Sequence, residues 1–197
     1  DLGGKAAFPC LPPLTSHLSN RKNMKRLLFS LALSLIAMVS MAQAKYVFYF
    51  IGDGMGANQV LAAEMYQAAL QGQINRVPLL MSQFPYSGQA ATFSASYGIT
   101  DSAAAGTCLA SGKKTNNGMI GQTPDGEPAY SVASKLHDEG WAVGIMSSVP
   151  VDHATPASQY AHAEKRYQYY KIGTQLTQTG FNFFAGGGFQ SPVNKDD

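Results

Sequence analysis

Cysteine is almost absent from this chain, which carries two, Cys10 and Cys108, in 197 residues. Cys10 falls ahead of an export leader, so Cys108 stands alone after it and no internal disulfide can form, which excludes a small disulfide-stapled scaffold. Cys108 reads as a buried apolar residue on a helix. Charge is also scarce: 13% of residues are charged against 45% apolar, and the formal net charge is +2. That composition is globular, with no basic surplus suited to nucleic acid and no charge-rich, apolar-poor signature of disorder. No apolar run reaches the roughly 20 residues that a membrane-spanning helix needs. No repeat, low-complexity tract or linker follows Lys45, so what remains is one domain or a piece of one.

From Met24 the chain reads MKRLLFSLALSLIAMVSMAQA. A basic start at Lys25 and Arg26, an apolar run over 27–41 and the small-x-small group Ala42-Gln43-Ala44 form a secretory signal peptide over 24–44. Residues 1–23 have no periodicity and read as upstream or non-native sequence. Cleavage after Ala44 leaves 45–197, in which nine Lys and Arg face eleven Asp and Glu, a net −2. The expected destination is the periplasm or the cell exterior, with no membrane span after cleavage.

Strand and helix patterns then alternate. KYVFYFIG (45–52) predicts a buried strand, and ANQVLAAEMYQAALQG a helix with Val60, Leu61, Met65 and Leu70 on its apolar side. Residues 89–94 predict a second strand. SAAAGTCLASG (102–112) and SVASKLHDEG (131–140) predict helices ending at glycine, and WAVGIMSSV (141–149) a buried strand. RYQYYKIGTQLTQTG is helical in part, and FNFFAGGG opens a further strand. Strands separated by helices of this length imply a three-layer α/β/α sandwich around a mostly parallel central sheet, incomplete in this chain. Such sheets place ligands beyond the carboxyl ends of their strands. Asp53, Ser102 and the DHAT group (152–155) all follow predicted strands.

GDGMGA resembles a dinucleotide loop, but Gly52, Gly54 and Gly56 are spaced G-x-G-x-G and no acid ends the next predicted strand, so that reading fails. GTCLASGKKT (106–115) resembles a P-loop, yet it has five residues between its glycines and Lys114 where Ser or Thr should stand. ITDSAAAGT (99–107) is the stronger feature. A serine in the first turn of a helix, followed by alanines and a glycine, sets its hydroxyl beside backbone N–H groups with nothing bulky to shield it. The same pattern also suits a helix cap. It contains no G-x-S-x-G serine-hydrolase elbow.

ITDSAAAGT resembles the active-site signature of alkaline phosphatases, FIGDGMG their first metal-binding strand end, and DHATPASQYAHAEKR (152–166) the segment with a magnesium ligand and the phosphate-binding arginine. The match covers most of 45–188, with three motifs in order. It implies Ser102 as the nucleophile that becomes phosphoserine, and Asp53 as a bridge between a zinc and the magnesium. It further implies Thr155 as a magnesium ligand through its hydroxyl, and Arg166 as the grip on two phosphate oxygens, oriented by Asp101. His153, at a position where members carry Asp or His, would lie beyond the magnesium's direct ligands, and a histidine there could turn that third metal site towards zinc.

The chemistry of these residue types agrees. A serine hydroxyl bound to zinc becomes an alkoxide without a histidine base; a guanidinium matches two phosphate oxygens; carboxylate and hydroxyl oxygens suit magnesium. Taken singly, Asp53 also fits a turn, Thr155 a cap before Pro156 and Arg166 a solvated helix. His162 reads as a packed helix histidine, and His137 as a surface residue near a helix end.

The resemblance implies two Zn2+ and one Mg2+. After Arg166 this chain offers no histidine, and its only acids are Asp196 and Asp197. It therefore reads as an N-terminal fragment, itself inactive, of an enzyme for phosphate monoesters, with homodimer assembly left open. The alternatives are a related esterase for phosphodiesters or sulfates, against which the missing C/S-x-P-x-R context counts, and a noncatalytic exported phosphate-binding protein.

Overall fold

A computed structural model of the chain describes Met24, Leu28, Phe29 and residues 44–194. The leader at 24–44 and the residues before it lie, apart from Met24, Leu28, Phe29 and Ala44, outside the described residues, as do Asp196 and Asp197. Two compact units divide the chain, Asp1–Ile51 and Gly52–Asp197.

In the first unit, residues 44–51 carry neither helix nor strand, and Tyr46, Val47, Phe48, Tyr49 and Phe50 are exposed. The strand expected over 45–52 is not formed. Its apolar run is sufficient for burial, but a strand exists only where its N–H and C=O groups meet a partner's.

The second unit runs α1 (Ala57–Leu70), a 3-10 turn (Leu80–Gln83), α2 (Ser102–Ser111), α3 (Val132–Asp138), β1 (Gly144–Met146), α4 (Ala154–Ala157), α5 (Tyr169–Leu176) and β2 (Phe183–Ala185). β1 and β2 pair in parallel, Gly144 with Phe183 and Met146 with Ala185, with α4 and α5 in the connection. A parallel pair joined through helices is the α/β arrangement that the alternating pattern predicts, here with two strands among the described residues. The expected strand over 141–149 contracts to three residues, and 89–94 forms none.

The helices follow their local chemistry. Asp101 caps α2 by accepting from the Ala104 amide at 2.9 Å, and Gly112 closes it in the left-handed region with φ of 71°. Ser131 caps α3 by accepting from the Ser134 amide at 3.0 Å. α1 departs from its expected orientation, because Leu61, Met65 and Leu70 are exposed while Glu64 and Ala68 are buried. Glu64 anchors the segment after the helix: its carboxylate accepts from Ser82 Oγ at 2.6 Å, the Leu79 amide at 3.1 Å and Arg76 Nη1 at 3.0 Å. The Ser82 hydroxyl foremost, then the Leu79 amide, hold this carboxyl below its ordinary range.

The core gathers Ala103 of α2, Ile120, Ala154 and Ala157 of α4, Tyr160, Ala161, Ala163 and Ile172 of α5, with Phe181 and Phe184 against it. Burial pushes the Tyr160 hydroxyl up, and Asp152 nearby adds to the shift. Cys108 is half-exposed, not buried.

Two glycines permit the close approaches. A Cβ on Gly106 would stand 2.6 Å from Ser158 Oγ and 3.7 Å from the Thr155 Cα, so α2 and α4 meet there only because position 106 carries no side chain. Gly121 has φ of +57°, and a Cβ on it would lie 2.0 Å from the Ala161 carbonyl oxygen. Its amide donates to Thr107 Oγ1 at 2.8 Å, tying this loop to α2. Gly121→Ala is expected to destabilise the intact protein by about 2–4 kcal/mol through combined strain and overlap, read as a lower urea midpoint. An unchanged midpoint would contradict the packing described.

Candidate active site

Asp53 sits on an exposed turn directly after Gly52. Its two carboxylate oxygens are each taken by a hydroxyl from a distant helix. Ser102 Oγ, on the first residue of α2, donates to Oδ1 at 3.1 Å, and Thr155 Oγ1, in α4, donates to Oδ2 at 2.8 Å. Helices distant in sequence meet because α2 offers alanines and Gly106 to α4's Ala154 and Ala157, and the hydroxyls lie at the same end of that seam.

One residue before Ser102, Asp101 faces the other way. Its Oδ2 accepts from Arg166 Nη1 at 3.1 Å and from the Gly118 amide at 3.0 Å, while Oδ1 serves as the cap of α2. Both members of the ion pair are about a quarter exposed, 27% for Arg166 and 24% for Asp101. The guanidinium therefore keeps N–H groups for a further anion, since Arg has five donors and this contact uses one.

Asp53, Ser102 and Thr155 thus form one cluster, and Asp101 with Arg166 an adjoining one. His153 is the N-cap residue of α4, and its ring stacks on Tyr169 with centroids 5.9 Å apart and planes at 19°. Among the described residues that ring hydrogen-bonds to nothing. His162 belongs to no helix: it lies on the loop whose Ala163 bridges to Ile120, and Gln175 brackets its backbone. His137, in the last turn of α3, is half-buried with its ring edge against Phe181 at 5.4 Å.

The sequence points to Asp152 only as part of the DHAT group, not as an anchor, and assigns Asn117 and Gly118 no part. Asp152 is fully buried and accepts from the amides of Gln190, at 2.8 and 3.0 Å, and Ser191, at 3.2 Å, fastening the segment after β2. Asn117 and Gly118 reach back to Asp101, and the only sequence signal for them is the Asn-Asn-Gly turn after KKT.

A carboxylate with two hydroxyls is a set of hard oxygen donors, suited to magnesium and to bridging cations. Among the described residues no group of three or more His, Cys, Asp and Glu comes together, so a four-ligand zinc site is not complete within them. No helix of the described residues is long and apolar enough to cross a membrane.

Comparison with known proteins yields a consistent set. Residues 44–182 match a family model described as alkaline phosphatase. The tissue-nonspecific alkaline phosphatase isozyme of Gallus gallus is 36% identical over 137 residues, a match that covers 64% of this chain and 26% of that protein. Among solved structures, the cold-active alkaline phosphatase of the psychrophile Shewanella sp. superposes with a TM-score of 0.65 at 28% identity, covering 74% of this chain and 36% of that one. Thermus thermophilus alkaline phosphatase gives a TM-score of 0.61 at 30% identity, covering 67% and 28%. The chain spans about a quarter of the length of the curated relative it matches.

Proposed function

The chain belongs to the alkaline phosphatase family, and from that premise we propose that the intact protein is an exported, metal-dependent hydrolase of phosphate monoesters that works through a phosphoserine at Ser102. The observation that supports this reading most is the shared carboxylate of Asp53, with Ser102 Oγ on one oxygen and Thr155 Oγ1 on the other. A serine that merely capped a helix would have no need of a carboxylate 49 residues away in sequence.

Asp53 and Thr155 are hard-oxygen donors that would hold a magnesium, Asp53 would be shared with a zinc, and Ser102 Oγ is placed beside them. Such cations, when bound, lower the pKa of a coordinated hydroxyl and neutralise charge developing on phosphoryl and leaving oxygens. The chain's own residues supply the rest. Asp53 fixes the direction of the Ser102 hydroxyl and accepts its proton in a hydrogen bond. The first turn of α2 directs its N–H dipoles towards an incoming anion. Arg166 binds two phosphate oxygens and sets the phosphorus in line with Ser102 Oγ. Asp101 holds the guanidinium in place without consuming its outward donors. His153, the N-cap residue two positions before Thr155, stacks on Tyr169 and would border the third metal site.

The test compares substrates. Intact protein loaded with zinc and magnesium should cleave an aryl phosphate monoester at least about a hundredfold faster than the matching phosphodiester or sulfate, because the monoester brings a dianion to Arg166 and the cations, whereas the diester and the sulfate each bring a monoanion. A diester or sulfate rate equal to or above the monoester rate would transfer the reading to the related esterases.

A further inference from the structure

We propose that Asn117 is a positioning residue for phosphate, acting through Asp101 on Arg166; the inference rests on the reading of Arg166 as the phosphate grip. Asp101 caps α2 through Oδ1 and holds Arg166 through Oδ2. A cap alone leaves a carboxylate free to pivot about its χ angles, and a pivot of Asp101 would move the guanidinium. A third donor stops it: the Gly118 amide points into the same Oδ2 at 3.0 Å.

That amide is presented by a tight turn, in which the Met119 N–H donates to the Asn116 carbonyl at 3.1 Å. Asn117 secures the turn to the strip of chain leading into α2. Its Oδ1 accepts from the Asp101 amide at 3.2 Å, and its Nδ2 donates to the Ile99 carbonyl at 3.0 Å. Its own amide donates to Ser96 Oγ at 3.0 Å. One side chain thus engages the backbone on either side of Thr100, with one acceptor and one donor. Among side chains of this length only the Asn amide offers both. Asn117 is half-buried and absent from the apolar core, so its truncation removes hydrogen bonds without opening a cavity there.

The experiment uses the intact protein loaded with zinc and magnesium. It measures kcat and KM for an aryl phosphate, the inhibition constant of inorganic phosphate and the urea midpoint. In Asn117→Ala, KM and the phosphate inhibition constant are expected to rise together by about tenfold, with kcat within about threefold of the parent, as befits loss of binding shared by ground and transition states. In an Arg166→Ala background the same substitution should change the inhibition constant by less than about twofold, because the residue through which Asn117 acts is gone. Asn117→Asp keeps the acceptor, loses the donor to Ile99 and sets a second anion near Asp101, so it too should weaken phosphate, and it carries the test if the alanine variant does not fold. Unchanged KM and inhibition constant beside a lower midpoint or kcat would overturn the proposal, as would full additivity with Arg166→Ala. An Arg166→Ala variant that binds phosphate as tightly as the parent overturns the premise, and the inference with it, before Asn117 is consulted.

Discussion

Replacing Ser102 by alanine in the intact protein is expected to end phosphoryl transfer, with a loss in kcat on the order of a thousandfold or more. The reason is chemical, since a methyl group has no oxygen to form the ester and the two-step route closes. Structure should hardly suffer. Position 102 is the first residue of α2, where alanine is as good a helix former as serine, and the lost contact to Asp53 lies at the surface. The variant should keep its urea midpoint within about 1 kcal/mol of the parent. It should still bind inorganic phosphate, because Arg166 and its support on Asp101 are untouched. Quenching with acid during turnover should trap labelled phosphate on the parent chain and none on the variant. Residual turnover within tenfold of the parent, or label on the variant, would remove Ser102 from the nucleophile's place.

Asp53→Ala should also be severe, by a different route. Asp53 is where hydroxyls from α2 and α4 converge, so its loss takes away the shared carboxylate and the alignment it imposes. The intact variant is expected to lose metal on dialysis and to fall in kcat/KM by more than about a hundredfold, the upper end of what removal of outer partners alone costs. Asp53→Asn separates the two effects. It keeps one acceptor oxygen and offers an NH2 in place of the other, so one hydroxyl is retained and its metal content should lie between parent and alanine. Metal analysis reads this directly, independent of rate. Full metal content in Asp53→Ala would show that the carboxylate orients hydroxyls without holding a cation.

What the sequence made legible was governed by local chemistry. The bounds of α2 follow from Asp101 as cap, small residues after it and Gly112 at its end, and the caps behave as their residue types require. Ser131 and the start of α3 follow the same logic. The strands were less legible: 45–52 and 89–94 have the apolar patterning of strands, yet form none, and 141–149 shrinks to the three residues that meet Phe183, Phe184 and Ala185. Periodicity shows what a segment could bury, and pairing decides whether it does. α1 failed in a related way, as Leu61, Met65 and Leu70 find no cover while Glu64, a charged residue, becomes the buried anchor. For the site, the motifs pointed to the residues now found together, Asp53 with Ser102 and Thr155, and Asp101 with Arg166. They could not point to Asn117 and Gly118, whose part depends on a fold-back of 16 and 17 residues that no spacing rule describes. His162 misled because YAHAEKR reads as helical, whereas the backbone there turns to bridge Ile120.

The seam between α2 and α4 has a thermal consequence. It is built from Ala103, Gly106, Ala154 and Ala157, with Ser158 against the glycine, and alanine and glycine have no rotamers to lose when they are buried. The two hydroxyls are therefore registered by backbone against backbone, without long side chains that must choose a conformation. Warming first excites side-chain hops elsewhere in the molecule; along this line Ser158 alone has a rotamer to change, and its hydroxyl is held on the Thr155 carbonyl at 2.8 Å. The separation between Ser102 and Thr155 should stay constant up to the temperature at which a helix itself frays.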